Sequence, residues 1–283
     1  MTEKSLKELI EEQFDADSMQ LPVFNRVALE LQQLKADDKV SMEQIAGVII
    51  KDQSMASRVL QVANSSFYGG LKKVETITQA VVRLGLKRVT TLAMVASQLL
   101  SHQSEVEIIA NQMAVLWKRS MACAVGARWL AEQSGNRSLG EEAFLAGLMH
   151  DIGELFLLKV LEKLALDEND PLPLTEHLMY EVLEAMHNDL GYRLMVKWEL
   201  PEQYAIVARD HQLQEFDEHN LLLVMVRLMD IACLKLGIGM PPDPDIVLAA
   251  TAEAQVLGLK EIKLAELELM LEDTVLEAEA MLS

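Results

Sequence analysis

Two carboxylates and three imidazoles stand out because each is set in an otherwise apolar stretch. His150 and Asp151 lie side by side in AFLAGLMHDIGELFLL, His187 in EAMHNDLGYRLMVKW, His211 in YAIVARDHQ and Asp230 in LLLVMVRLMDIACL. A lone Asp or His on an apolar helix face is costly to bury unless it is paired or ligates a metal. If those segments pack together, the five groups can converge on a hard or borderline divalent cation such as Mn, Fe, Zn or Mg. They can equally be capped and salt-bridged structural groups, and a His-Asp dipeptide alone does not separate the two readings. Neighbours on one continuous helix point about 100° apart, so a site built on this pair needs side chains from other helices. His102, His177 and His219 have no patterned carboxylate or histidine partners around them and are expected at the surface.

Other chemistries lack their residues. A phosphate-cradling glycine loop, a G-x-S-x-G elbow and a C-x-x-C pair are all missing. The two cysteines, Cys123 and Cys233, cannot make a disulfide framework, which points to a reducing compartment.

The elements that must position these groups read as helices. Nearly every long segment repeats its apolar residues at three to four positions, as in Ile45, Ile49, Met55, Val59 and Val62. Ser41 followed by Gln44 fits a capping box. Turn marks fall at Asp37-Asp38, Gly69-Gly70 and Gly85, and Pro241-Pro242-Asp243-Pro244 reads as a linker. The expected fold class is all-α, a two-lobed helical protein. Its N-terminal lobe covers 1–100, a helical bundle 101–238, and an acidic helical extension 239–283. A continuous helix over 101–116 is expected to bridge the lobes. Further helices are expected at about 117–133, 141–163, 176–198, 201–213, 219–237, 245–258 and 261–281. In the last, Leu264, Leu267, Leu271 and Val275 form a stripe expected to dock on its own domain, with oligomerisation through this helix as the other possibility.

The 283 residues carry a formal charge of −19, yet the first hundred hold 12 basic and 12 acidic side chains. The whole excess therefore lies in the later two-thirds, which disfavours a nucleic-acid or anionic-membrane role for the bundle. The neutral lobe has a loose basic cluster, Lys72, Lys73, Arg83, Lys87 and Arg88, where an anionic partner could dock. The charged N-terminus has no signal-peptide core, and the most apolar stretch, 221–240, is interrupted by Arg227, Asp230 and Lys235. A cytoplasmic location is expected.

Several motifs in order give a resemblance. LPVFNRVALELQQL, IAGVIIKDQSMASRVLQVANSSFYGG, ITQAVVRLGLKRV, LWKRS, EEAFLAGLMHDIGEL, HNDLG, KWELPEQ and ARDHQ together resemble the HDOD family. This is the regulatory branch of the HD superfamily of metal-dependent phosphohydrolases. The resemblance spans about Leu21 to Gln212 and runs weakly through Asp230. It implies a bacterial signal-transduction module that acts by binding signalling proteins or a small effector. Residual metal-dependent hydrolysis of a nucleotide or phosphoester is the alternative. It also implies a metal-ligand set of His150, Asp151, His187, His211 and Asp230, with a histidine before the serine of LWKRS. This chain has Arg119 there, Gln212 where a second histidine is expected after His211, and Arg193 where a GYP signature has its proline. A guanidinium has no lone pair to offer a metal, so Arg119 is expected to pair with Asp151 or Asp230 and hold the metal position as a salt bridge. Asn64, Ser65 and Ser66, in the segment most like the family, read either as a helix end closing onto a loop or as a polar surface for a partner or ligand.

Overall fold

The structure is a computed structural model that describes residues 5–17, 25–34, 41–65 and 73–282. Ser66 and Lys72 lie outside these, as do the turn marks at 37–38 and 69–70. Among the described residues there are helices and turns and no strands, so the class is all-α.

The first lobe is built from α2 (Arg26–Leu34), α3 (Met42–Ile50), α4 (Gln53–Ala63) and α5 (Ile77–Ser101), whereas α1 (Leu6–Asp17), expected in this lobe, packs on the bundle, with Phe14 edge-on against Phe156 and Glu11 paired with Arg193. Ser41 caps α3 in the expected box: its Oγ accepts from Gln44 N at 3.2 Å while Gln44 Oε1 accepts from Ser41 N at 2.8 Å. Asn64 ends α4 and ties it to the next segment, donating to the Leu60 and Val74 carbonyls and accepting from Val74 N. Ser65 Oγ donates to Val62 O at 2.7 Å. Both residues thus close a helix end.

Helix α5 is broken at Gly85, whose φ of 79° is strained for any side-chain-bearing residue. Beyond that break every residue from Val89 to Leu99 is buried, so α5 is the spine on which α2, α3 and α4 pack from one side and the bundle from the other. The apolar core is continuous from α1 to the last helix.

The bundle consists of α6 (Glu107–Gln133), α7 (Gly140–Met149), α8 (Ile152–Ala165), α9 (Glu176–Lys197), α10 (Glu202–Asp210) and α11 (Leu221–Leu236). After it come a 3-10 turn at Leu248–Ala250, the short α12 (Ala252–Val256) and α13 (Glu261–Leu282). No helix among the described residues is long and apolar enough to cross a membrane. The apolar stripe of α13 docks on α6, burying Leu264, Leu267 and Leu271 with Val275 half-buried. Trp117 Nε1 donates to Ala278 O at 2.9 Å, and Lys118 pairs with Glu279.

Four further expectations are corrected. The bridging helix over 101–116 is interrupted between Ser101 and Glu107, because side chains of α8 satisfy that backbone instead. Glu162 accepts from Glu105 N, and Lys159 donates to Gln103 O. The helix expected at 141–163 is two helices that part at His150-Asp151. The helix expected at 245–258 is a 3-10 turn followed by α12, since Thr251 is extended (φ −72°, ψ 147°) and caps α12 by accepting from Ala254 N. Finally, His102 is not a surface residue: it is 5% exposed, stacked edge-on against Trp117 and hydrogen-bonded through Nδ1 to Gln98 O at 2.7 Å. His177 and His219 are exposed.

Burial pushes the His102 imidazole down from 6.5 to about 4, so it is neutral in the fold at pH 7. Below about pH 6.5 the unfolded chain takes up a proton there that the folded chain refuses, so stability falls as pH drops toward 4. Between pH 7 and pH 4.5 this one group should cost roughly 2–3 kcal/mol. Urea unfolding of the natural chain and of His102→Asn at both pH values measures it. The stability difference between them should move by that amount, and a difference that stays constant would show the ring to be solvated.

Candidate functional site

The break between α7 and α8 is what builds the site. His150 closes α7 and Asp151 leaves helical geometry (φ −99°, ψ 24°), so two adjacent side chains face one point instead of diverging. His150 Nε2 lies 2.9 Å from Asp151 Oδ2 and 3.1 Å from Asp230 Oδ1, which reaches in from α11. His211, at the end of α10, places Nε2 3.3 Å from Asp151 Oδ1. His187, on α9, stacks edge-on against His211 with ring centroids 5.7 Å apart.

Helix α6 supplies Arg119 from the opposite wall. Its Nε donates to Asp151 Oδ2 at 2.8 Å and its Nη2 to Glu154 Oε1 at 2.6 Å, and Nη2 also touches Asp151 Oδ2. Arg119 is 9% exposed, Asp151 2% and Glu154 7%, so this three-member ion pair is buried. In such a place charge-assisted hydrogen bonds are short and strong, and an unmatched charge is heavily penalised.

The histidines are oriented by their own helices. His150 Nδ1 bonds Gly147 O at 2.7 Å, His187 Nδ1 bonds Leu183 O at 2.7 Å, and His211 Nδ1 is 3.1 Å from Ala208 O. Each carbonyl oxygen accepts from Nδ1 and so turns Nε2 toward the centre. Glycines let the walls approach: a Cβ at Gly153 would overlap the His187 carbonyl oxygen, and one at Gly147 would press on the Cys123 carbonyl.

Electrostatics lock the arrangement. Burial alone would push the Asp151 carboxyl up, but Arg119 and His150 outweigh it and hold the group well below the usual range. Burial likewise opposes charge on His150, yet Asp151 and Asp230 overcome it and hold the ring well above its ordinary value. Asp230 is lowered against the same penalty by His150 and His211. Buried Arg119 is held protonated by Asp151, Glu154 and Asp230. The thiols Cys123 and Cys233 lie 3.9 Å apart, unbridged, with Cys123 Sγ 3.7 Å from Asp230 Oδ1.

By distance alone, three groups among the described residues could share a cation: Cys123, His150 and Asp230; His150, Asp151 and His211; Asp151, Glu154 and His187. Acceptors remain to be satisfied there, including Asp151 Oδ1, Asp230 Oδ2 and the Nε2 atoms of His187 and His211. A cleft lined by Arg119, Asp151, His211, Arg227 and Asp230 opens onto the centre. The structure thus brings together all five residues proposed as ligands, with Arg119 among them. Glu154 and Cys123 were not singled out from the sequence. Glu154 was legible, standing three residues after Asp151 and therefore on the same helix face, whereas Cys123 carries no signal without the packing.

The basic cluster of the first lobe lies apart from this centre. Lys87 pairs with Glu142 at 3.7 Å and Arg88 with Glu141 at 3.5 Å, tying α5 to α7. Lys73 and Arg83 line a shallow groove with Val82.

The HDOD domain family model matches residues 21–213, and the chain belongs to this family. A crystal structure of an HDOD domain protein with unknown function from Geobacter sulfurreducens aligns over 97% of both chains at 22% identity and a TM-score of 0.74. A provisionally assigned metal-dependent phosphohydrolase from Shewanella amazonensis SB2B aligns over 98% of both chains at 20% identity and a TM-score of 0.71. A provisionally assigned signal transduction protein from Marinobacter aquaeolei VT8 covers all of this chain, over 62% of its own length, at 22% identity and a TM-score of 0.67. At these identities the likeness is one of fold. An uncharacterized protein of Treponema pallidum (strain Nichols) is 25% identical over 210 residues, which are 71% of this chain. The chain spans 38% of the length of that curated relative.

The buried ion pair gives a direct expectation for stability. Arg119→Met strands the Asp151 and Glu154 carboxylates and should cost about 3–5 kcal/mol in denaturant unfolding. Arg119→Lys should recover only part, because one ammonium cannot match both carboxylates in the guanidinium's fork. A loss below about 1 kcal/mol for Arg119→Met would mean the pair is solvated.

Proposed function

We propose that this chain is a regulatory HDOD module of the bacterial cytoplasm that acts by binding signalling proteins or a small effector and not by catalysis. The observation that supports this reading most strongly is the contact of Arg119 with both Asp151 and Glu154. A divalent cation drawn to those carboxylates meets a fixed guanidinium already bonded to them, and like charges at such range in a low-dielectric site repel by several kcal/mol. The residues present therefore do not fit a metal at this position. The other arginine of the cleft is also committed: Arg227 donates to Glu253, to His211 O and to Leu213 O, leaving it poorly placed to cradle a phosphate. The provisional assignment of the Marinobacter relative to signal transduction points the same way.

The competing reading is a metal-dependent phosphohydrolase, for which the unsatisfied acceptors around His187, His211 and Asp230 speak. The Shewanella relative's provisional assignment favours it as well. A metal there would activate a bound water for attack on a phosphoester.

Elemental analysis of protein purified without chelator separates the two, together with thermal unfolding and bis(p-nitrophenyl) phosphate hydrolysis with and without Mn²⁺. The regulatory reading expects substoichiometric Mn, Fe and Zn, a melting temperature that Mn²⁺ does not raise, and no turnover. Stoichiometric metal that disappears in Asp151→Ala, with turnover, would overturn it.

A further inference from the structure

We infer that the outward face of α13 is a docking surface for a basic amphipathic helix of a partner protein. This names the partner chemistry of the regulatory reading above, and rests on that reading only in taking partner binding to be the module's work. While Leu264, Leu267 and Leu271 bury against the bundle, three large aliphatic side chains point the other way: Ile262 is 71% exposed, Leu269 67% and Leu276 65%. They are spaced seven residues apart, so each returns to within about 20° of the last, and the line runs about 21 Å along the helix. Scattered exposed aliphatics are ordinary, but a straight heptad line on one helix is the pattern a second helix reads.

The surrounding charge selects the occupant. Residues 261–282 hold seven carboxylates and a single lysine, Lys263. Projected around the axis, Asp273 and Glu266 border the aliphatic line on one side and Glu272 and Glu279 on the other, each within about 40–80° of it. Glu266 pairs with Lys263 and Glu279 with Lys118, so Asp273 and Glu272, one on each side, carry most of the selecting charge. An apolar seam between two acidic rails complements a helix with leucines along its seam and lysines or arginines at its edges. A second copy of α13 would set acidic rails against acidic rails, and an anionic membrane would be repelled in the same way. The basic helix is the occupant that satisfies both the apolar line and its borders.

The chain of residues 1–283 can be tested with three synthetic helical peptides of equal length. One has leucines at heptad positions and lysines at the flanks. The second replaces the lysines by glutamates, and the third replaces the leucines by serines. Fluorescence anisotropy should show the first binding at least tenfold more tightly than either other. Leu269→Ser with Leu276→Ser should weaken it at least tenfold while leaving the melting temperature unchanged, because both side chains are exposed. Equal binding of the leucine-free peptide would reveal attraction by net charge alone and overturn the proposal. So would undiminished binding to the double variant, or no binding at all. Sedimentation of the protein alone closes the remaining alternative: a dimer abolished by the double variant would assign the face to a second copy and equally overturn it. None of these outcomes bears on whether Arg119 displaces a metal, so the two proposals fail separately.

Discussion

The buried guanidinium of Arg119, bonded to Asp151 and Glu154, is the constraint around which the bundle is arranged. Removing three charged groups from water is expensive, and their attraction repays it only when geometry is good and the remaining polar atoms find partners. The fold meets that condition from several directions. Arg119 comes from α6, Asp151 from the α7–α8 break, Glu154 from α8, Asp230 from α11, and His211 from the end of α10. Five elements must therefore dock in register before the charges are matched. The same interactions that hold Asp151 far below the usual carboxylate range and His150 above the usual imidazole range bind those elements to one another.

Packing and charge are linked at the helix walls. Close contacts at Gly147 and Gly153 bring α7 against α6 and α8 against α9, the distance at which Arg119 and His187 reach the centre. On the outer side of α6, Trp117 contacts His102 and donates to the α13 backbone, two residues from Arg119. One helix thus carries the charge-matching residue on one face and the anchor of the C-terminal helix on another.

The all-helical class was legible in the sequence because 3.6-residue periodicity reports which face each helix buries. The capping box at Ser41 and the Gly85 break followed from local backbone rules. The five residues His150, Asp151, His187, His211 and Asp230 were legible because polar groups isolated on apolar segments must find partners, and the structure sets them around one centre. All but one of the errors share a cause, since they depended on tertiary contacts, whereas the break at Thr251 is a local cap. The helix expected through His150-Asp151 breaks because both side chains are drawn to Arg119 and Asp230, which lie far away in the chain. The helix expected at 101–116 gives way where α8 side chains capture the backbone of 103–105. His102 was expected in solvent because its cover is tertiary, Trp117 packing edge-on against the ring. Glu154 had a local signal in its spacing from Asp151, whereas Cys123 reaches Asp230 only through the α6–α11 contact.

The most direct test is to put a metal-ligating side chain at position 119. In Arg119→His an imidazole lone pair faces Asp151 and Asp230 in place of a fixed positive charge. Isothermal titration with Mn²⁺, checked by elemental analysis of the recovered protein, compares this variant with the natural chain. The expected result is about one bound cation per chain in Arg119→His and none in the natural protein, with the bound cation lost again when Asp151→Ala is added. Equal uptake by the two proteins would contradict the assignment of Arg119 as the occupant of the cation position.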